Sequence, residues 1–525
     1  MKRNLVVAIL AFALFAVVTT STLLLAQARK HPRYKLVDLG TLGGPISYGS
    51  VNGDGGRLLN DGGVVPSFAD TSAPDLNAPD LCFVAGCLVA HGYRWKNGIM
   101  TDIGALSNAY GSAPGSINAR GWSTGQSQNG LIDPLYGFPQ LRAVLWKGRK
   151  ILDLGTLAGG SESLGISIND AGQVVGLSDN GVPDPFSIIP LGVQIRTFFW
   201  HNGRMQDIGT LGGPDALPGP GCDNQIPGTV VGISYTSFTP NDSTGIPTVN
   251  PFLWDNGRMI DLGNLGGTFS VGQCANNRGD VIGVSNLAGD ATFHAFVWRK
   301  GRMKDLGTLG GDDSEAIWIN DAGDIAGSAN LPAPGIHDAV RWRHGQILDL
   351  GTVPGDDCSR GRGINARGQI VGGSSDCTNF PHAFVWEEGG PMLDLNTLIA
   401  PDSGLQLTNA FNINDRGEIL AKSVPLGVTP IDDEDLGHVV LLIPCEKDGD
   451  DCENVPSAPT DTVQKSFTPI TRHATSLQRP LTPREAVAQW REQVARRHRI
   501  TTGSPTEPGR QTVDRIGRGE CGFRF

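Results

Sequence analysis

Eight aspartates recur in one short phrase, Asp-Leu-Gly or a close variant, at positions 38, 102, 153, 207, 261, 305, 349 and 394. A second polar set sits four residues before each of seven repeated tryptophans: His91, Arg142, Arg196, Asn250, His294, Asp338 and His382. His438 holds the corresponding place in the last apolar strand. Gathered on one face, such side chains could form a polar ring able to hold an anion or a metal ion, and a metal needs three or more converging ligands. The plainer chemistry is structural. An aspartate used once per repeat fixes a turn by accepting backbone N–H bonds. A polar residue at a strand entrance satisfies backbone groups there. The sequence lacks the nucleophile elbow, the phosphate loop and the H-E-x-x-H zinc motif, so no catalytic residue, metal or cofactor is assigned.

Cysteine supplies the other reactive chemistry. Nine cysteines suit an oxidising compartment. Cys82 and Cys87, Cys358 and Cys377, and Cys445 and Cys452 are near neighbours that could close small loops. Cys222 and Cys274 share one repeat position in consecutive units, so they are either close in space or free buried thiols, and Cys521 is left over. No C-x-x-C pair exists, which argues against zinc and thioredoxin-like chemistry. The N-terminus has the same destination. Lys2 and Arg3, the apolar run Leu5 to Val18, and Ala26-Gln27-Ala28 read as a signal peptide over 1–28. An uncleaved anchor over 5–26 is the alternative, and Thr19 to Thr22 interrupt it. After cleavage no membrane span is expected. A net charge of -11 and a pI near 5.4 exclude nucleic acid as the main partner.

The elements that carry these residues repeat. Trp95, Trp146, Trp200, Trp254, Trp298, Trp342 and Trp386 each precede an Asp of the phrase. They read as packing between units, with carbohydrate stacking the sharper alternative. An Ile-Asn-x-x-Gly phrase follows, clear at Asn118, Asn169, Asn320, Asn365 and Asn414, looser at Asn60 and Asn276, and most degraded at Cys222-Asp223-Asn224. Its Asn, Asp and Gly suit a hairpin loop. The region 314–350 divides into four short strands, and the last three periods between aspartates are 44, 44 and 45 residues. Four strands in that length is one propeller blade. The expected fold is all-β, an eight-bladed β-propeller of four-stranded antiparallel blades over 34–444. Strand 34–39 has no tryptophan strand before it, and strand 438–443 has no partner after it. Pairing of the two would close the ring and remove an open edge.

His294-Ala295-Phe296-Val297-Trp298 and His382-Ala383-Phe384-Val385-Trp386, with the Asp-Leu-Gly-Thr-Leu-Gly-Gly and Ile-Asn-x-x-Gly phrases, resemble the HAF-repeat family of extracellular bacterial proteins. The resemblance covers about residues 34 to 444. It implies an exported repeat protein, found in the periplasm or outside the cell. It implies no reaction.

Loop lengths point to a binding face. The links between second and third strands are long in the first four units, at about 66–90, 126–141, 178–195 and 234–249. They hold Phe68, Tyr136, Phe138, Phe186, Tyr235 and Phe238 and should cluster over half the ring. A ligand surface there and neutral loop growth are both open readings. Beyond the repeats, 445–481 reads as an acidic, then Pro/Ser/Thr-rich linker, and 482–525 as a basic tail. Thr482-Pro483-Arg484-Glu485 is a capping box that predicts a short helix to about Arg497. The expected function is a monomeric binding or scaffold module for an extracellular polysaccharide or protein. An extracellular polymer-degrading hydrolase or lyase, with its site at the channel mouth, is the alternative, and a purely structural surface protein is the third.

Overall fold

In the computed structural model, the described residues run from 34 to 445, apart from 50–55, 80, 85, 134–135, 190, 223–224, 378–380 and 429–436. The expected signal segment, Cys452, Cys521, the linker beyond Cys445 and the tail helix lie outside them. The described chain is all-β apart from one 3-10 turn, Leu395–Thr397. Its 32 strands form seven sheets. Six are four-stranded and antiparallel. The seventh has eight strands: two antiparallel four-stranded groups touch at a single parallel pair, Val249 with Phe269. The groups are numbered here as units one to eight: 43–102, 112–153, 163–207, 216–261, 266–305, 314–349, 358–394, and 405–444 together with 34–38. The arrangement is consistent with a β-propeller.

The eighth unit is completed from the other end of the chain. Tyr34–Asp38 pairs antiparallel with His438–Pro444, from Tyr34 opposite Pro444 to Asp38 opposite Val440. This is the pairing that the missing first tryptophan strand predicts.

Local sequence explains each unit. Third and fourth strands are joined by two-residue hairpins such as Asn97-Gly98 and Asn202-Gly203, all four residues at positive φ. That is the turn whose twist matches the flanking strands. The first strand carries a bulge in six units, for example between Ala316 and Trp318. The bulge drives its carbonyl toward the second strand. A Cβ on Gly327 would lie 1.9 Å from the Glu315 carbonyl oxygen, which accounts for the glycine of the Val/Ile-rich strand.

Units are bound to each other by polar hooks. Asn60 Nδ2 donates to the Asn118 carbonyl at 3.0 Å, and Asn118 to Asn169 at 3.0 Å. Asn276 donates to Asn320 at 3.1 Å, Asn320 to Asn365 at 2.9 Å and Asn365 to Asn414 at 3.0 Å. Asn414 donates back to Asn60 at 3.1 Å, so the hydrogen bonds return to the first unit. The Oδ1 of the same asparagines accepts N–H groups of its own hairpin, as from Asp324 at 3.0 Å. At unit four the phrase is degraded, and residues 223–224 lie outside the described residues. There Gln225 stands between Asp170 and Asn277, with bonds of 2.7 and 2.8 Å. The Cys222–Cys274 disulfide joins units four and five.

Cys82–Cys87 and Cys358–Cys377 are also disulfides. Three disulfides indicate an oxidising compartment rather than the cytoplasm. No helix among the described residues is long and apolar enough to cross a membrane.

Two stability predictions follow from the hooks. Asn320→Ala removes a buried donor and acceptor and should cost about 1–3 kcal/mol, read as a lower urea midpoint. Asn320→Asp keeps the acceptor, loses the donor to Asn365 and should not recover the loss. Replacing Cys222 and Cys274 by serine should cost about 2–4 kcal/mol. The same change at Cys82 and Cys87 should cost less, because that bridge spans 5 residues rather than 52. Denaturation under non-reducing conditions compares the two.

Candidate binding face

The repeated aspartates are turn residues. Each accepts the N–H two positions on: Gly40 from Asp38, Gly104 from Asp102, and so through Gly351 from Asp349, at 2.7–2.8 Å. Asp394 does the same for Asn396. The polar set pairs with these aspartates within each unit. His91 lies 3.0 Å from Asp102, Arg196 3.1 Å from Asp207, and Asn250 2.9 Å from Asp261. His294 and His438 each lie 2.8 Å from Asp305 and Asp38. His382 instead meets Asp356 at 2.8 Å, and Arg142 keeps a buried Nε without a hydrogen-bond partner. Asp338 faces Asp349, and burial together with that carboxylate pushes it up to about 7. Burial works against Asp102, yet the bonds from His91 and the Gly104 N–H hold it below the usual carboxylate range. These residues therefore stand one per unit, and six of the eight are bonded to a carboxylate. Among the described residues no three His, Cys, Asp or Glu gather closely enough to hold a metal ion.

The long second-to-third-strand links are more informative. They are not irregular loops. Strand pairing breaks between residues 70 and 74, 128 and 132, 179 and 183, and 235 and 240, then resumes in all four. Each tip opens on an Asx residue whose N–H crosses the hairpin: Asp75 to Cys87, Asp133 to Phe138, Asp184 to Gly192 and Asn241 to Ile246, at 2.8–2.9 Å. Its side chain accepts a tip N–H, from Asn77, Tyr136, Phe186 and Thr244 in turn. One hairpin design is thus used four times, a regularity that neutral growth of surface loops does not produce.

These hairpins lean on the next unit. The Leu141 N–H donates to Glu162 at 2.7 Å, Ile188 N–H to Asp215 at 2.6 Å, and the Tyr235 hydroxyl to the Phe186 carbonyl at 2.6 Å. Phe83 occupies the space that a side chain at Gly111 would need. One apolar cluster runs beneath all four, from Phe83 through Phe138 and Ile188 to Ile246. Most aromatics expected on a ligand surface are in that cluster instead. Phe68, Phe138 and Tyr235 are buried, Tyr136 and Phe186 partly so, and Phe238 alone of the six is exposed. Rings flanked by short polar loops read as surface, but inter-unit packing took them as core.

Carboxyl groups fill the polar seams. Glu162 is driven up to about 9 by burial first and then by Asp133 and Asp179. Burial also raises Asp179, and it raises Asp215 strongly, with Asp184 beside it. Glu162 is therefore a neutral carboxyl at pH 7, facing other acids within a contact between units.

What the hairpins expose is apolar. Leu131, Val182 and Phe238 stand three residues after equivalent strand positions 128, 179 and 235, at 60%, 46% and 64% exposure. Leu76 and Ile132 join them, so five of the eight large exposed hydrophobics among the described residues are on these hairpins. Sequence reading found the long links but missed a plain signal. Residues 66–90, 126–141, 178–195 and 234–249 contain no Lys, Arg or His, in a chain with 42 Lys and Arg and 10 His. They hold seven aspartates.

No family model matches the chain, and no curated protein matches it. Solved structures give weak likenesses. Pyrococcus horikoshii acylaminoacyl peptidase aligns over 74% of this chain at 12% identity and a TM-score of 0.36, and the chain spans 57% of that enzyme. The β-propeller domain of the Trilobed protease from Pyrococcus furiosus aligns over 69% of this chain and 98% of its own length, at 8% identity and a TM-score of 0.37. An oligogalacturonate lyase in complex with manganese covers 79% of this chain and 97% of its own, at 12% identity and a TM-score of 0.32. At such TM-scores none of them bears on function, and the fold rests on strand pairing.

The Glu162 contact yields a pH test. Its folded pKa lies above the ordinary glutamate value, so its contribution is full below pH ~4.5 and is lost as pH rises toward 9. The melting temperature should fall between pH 5 and 8. Glu162→Gln, which mimics the neutral carboxyl, should flatten that fall and melt higher than the parent at pH 8.

Proposed function

We propose that this chain is an exported, closed, eight-bladed β-propeller of the HAF-repeat kind that binds an extracellular protein across its four long hairpins. The eight-stranded sheet is read as two blades because a single parallel pair joins its halves. Export is supported by the disulfides and by the N-terminal leader that the sequence predicts.

One observation carries the binding role: a repeated, cation-free hairpin displays an apolar side chain at the same place in three consecutive units. Five of the eight large exposed hydrophobics among the described residues are on these hairpins, a concentration that supports a partner surface. Hairpins locked to the neighbouring unit are a rigid platform, which lowers the ordering cost of binding. The chemistry of the face selects the ligand. The hairpins offer apolar contact, an exposed Asp242 and no cation of their own, and Arg196 beside them is already paired with Asp207, so an anionic polysaccharide finds no free hairpin cation to pair with. A protein surface with apolar and basic side chains is complementary. Glu162, Asp179 and Asp215 lie in contacts between units and give the hydrolase or lyase alternative no support, whereas the Asp338–Asp349 pair lies within unit six and is the carboxyl pair on which that alternative would rest.

The test is a thermal-shift screen of the full chain against basic peptides, acidic peptides and uronate oligosaccharides. A ligand at 100 times its Kd should stabilise the protein by about 2.7 kcal/mol. Basic peptides should shift the melt, and Leu131→Ser/Val182→Ser/Phe238→Ser should abolish the shift without lowering the unliganded melt. A shift from uronates alone, or one that survives the triple change, refutes this reading.

A further inference from the structure

The face described above is matched by a part of this same chain. Residues 34–445 carry 24 Lys and Arg against 42 Asp and Glu, a net -18. Residues 454–525 carry 12 Lys and Arg against 6 Asp and Glu, a net +6. Residues 446–453 between them carry Lys447 against Glu446, Asp448, Asp450, Asp451 and Glu453, a net -4, so the positive charge lies in the last 72 residues.

The division is sharper at the level of faces. In an up-and-down unit the long hairpins share a side with the connections that follow each repeated Asp. The turn aspartates therefore stand toward that side, where Asp102, Asp207 and Asp305 are well exposed; of the hairpin aspartates, Asp242 is exposed while Asp70, Asp75, Asp133, Asp179 and Asp184 are buried. Lys96, Lys147, Arg149, Lys150, Arg299 and Lys300 belong to third-to-fourth-strand hairpins on the opposite side. An occupant of the long hairpins meets those exposed carboxylates and must also cover Leu131, Val182 and Phe238.

The tail contains such a segment. On the helix that its capping box predicts, Val487, Trp490 and Val494 share one stripe. Arg484 and Arg491 flank that stripe on one edge and Arg497 on the other, while Glu485 and Glu492 fall on the far side. An isolated helix of this length is marginal in water, so it needs a surface to fold against. We propose that residues 482–499 dock in cis on the long-hairpin face, so that the protein's own C-terminal segment occupies the binding surface until a competing ligand displaces it.

Reach is sufficient. The strand His438–Pro444 runs away from the long-hairpin side, so the tail starts from the opposite one. Seven strand residues span roughly 24 Å. The 36 residues from 446 to 481 can span at most roughly 120 Å, which exceeds that height. Tethering also raises the effective concentration of a weakly binding segment to the millimolar range, about what such a contact needs.

This proposal rests on the binding-face reading, and the experiment separates the two. Hydrogen exchange by mass spectrometry is followed over 482–499 in the full chain, in Leu131→Ser/Val182→Ser/Phe238→Ser, and in Arg491→Glu/Arg497→Glu. The proposal expects protection at least tenfold above free-peptide rates in the parent, independent of protein concentration and lost in both variants and in 1 M salt. Free-peptide exchange in the parent overturns it, as does protection that survives the hairpin change. Protection that grows with protein concentration places the segment on a second copy and overturns docking in cis. If the tail is free while basic peptides still bind the parent and not the hairpin variant, the face stands and only its own-chain occupant falls.

Discussion

Everything in this ring depends on one side chain that has two jobs. The asparagine of the Ile-Asn-x-x-Gly phrase turns its Oδ1 inward to hold a four-residue hairpin and its Nδ2 outward to the next asparagine's carbonyl. No other short side chain offers an acceptor and a donor on one planar group. Aspartate has no donor, and serine does not reach both ways. Because the position is buried, leaving either end unpaired carries the cost of an unsatisfied polar group. Local turn and global ring are therefore specified by the same residue, and neither forms well without the other. Serines add a second layer: the Ala143 and Ala339 N–H groups of third strands donate to Ser163 and Ser359 of the following units.

Unit four tests this logic because it lacks the phrase. Its neighbours do not simply lose contact. Gln225 accepts from Asp170 and donates through its own backbone to Asn277, and Cys222 is bonded covalently to Cys274 of the next unit. The disulfide constrains the unfolded chain between units four and five. The bridge at Cys82–Cys87 has a different role, since it shapes the tip of a long hairpin.

Much of this was legible from residues alone, for a definite reason. Repetition makes local chemistry visible, so the Asp-Leu-Gly turns, the four-strand unit and the pairing of 34–38 with 438–444 could all be read. The paired cysteines 82 and 87, and 358 and 377, follow from proximity. What one unit does to the next is not local, and it stayed hidden. The asparagine read as a turn residue shows nothing of its outward bond. Phe68, Phe138 and Tyr235 read as surface because their burial is supplied by neighbouring units. The long links read as irregular because no common residue type marks them: Asp75, Asp133, Asp184 and Asn241 share geometry rather than a phrase. The polar set from His91 to His438 read chiefly as structural strand-entrance groups, with a ligand-holding ring the alternative. His91, Arg196, Asn250 and His294 pair with an aspartate eleven residues on and His438 with its equivalent across the closure, while His382 meets Asp356 and Asp338 faces Asp349.

Up-and-down connectivity also gives the two sides of the ring separate chemistry. Alternate connections must fall on alternate sides, so a sequence can load one side without disturbing the other. Here the side with the long hairpins has carboxylates, apolar tips and no basic residue in any of the four hairpins. Burial raises its buried acids, Glu162 to about 9 and Asp215 well above the usual carboxylate range, which lessens the repulsion across the seams between units. The side chains that these hairpins expose include Leu76, Leu131, Ile132, Val182 and Phe238, which the proposed protein partner would cover. The rigidity that the hooks give to the scaffold is what allows that pairing to be selective, since a soft platform would adapt to many partners.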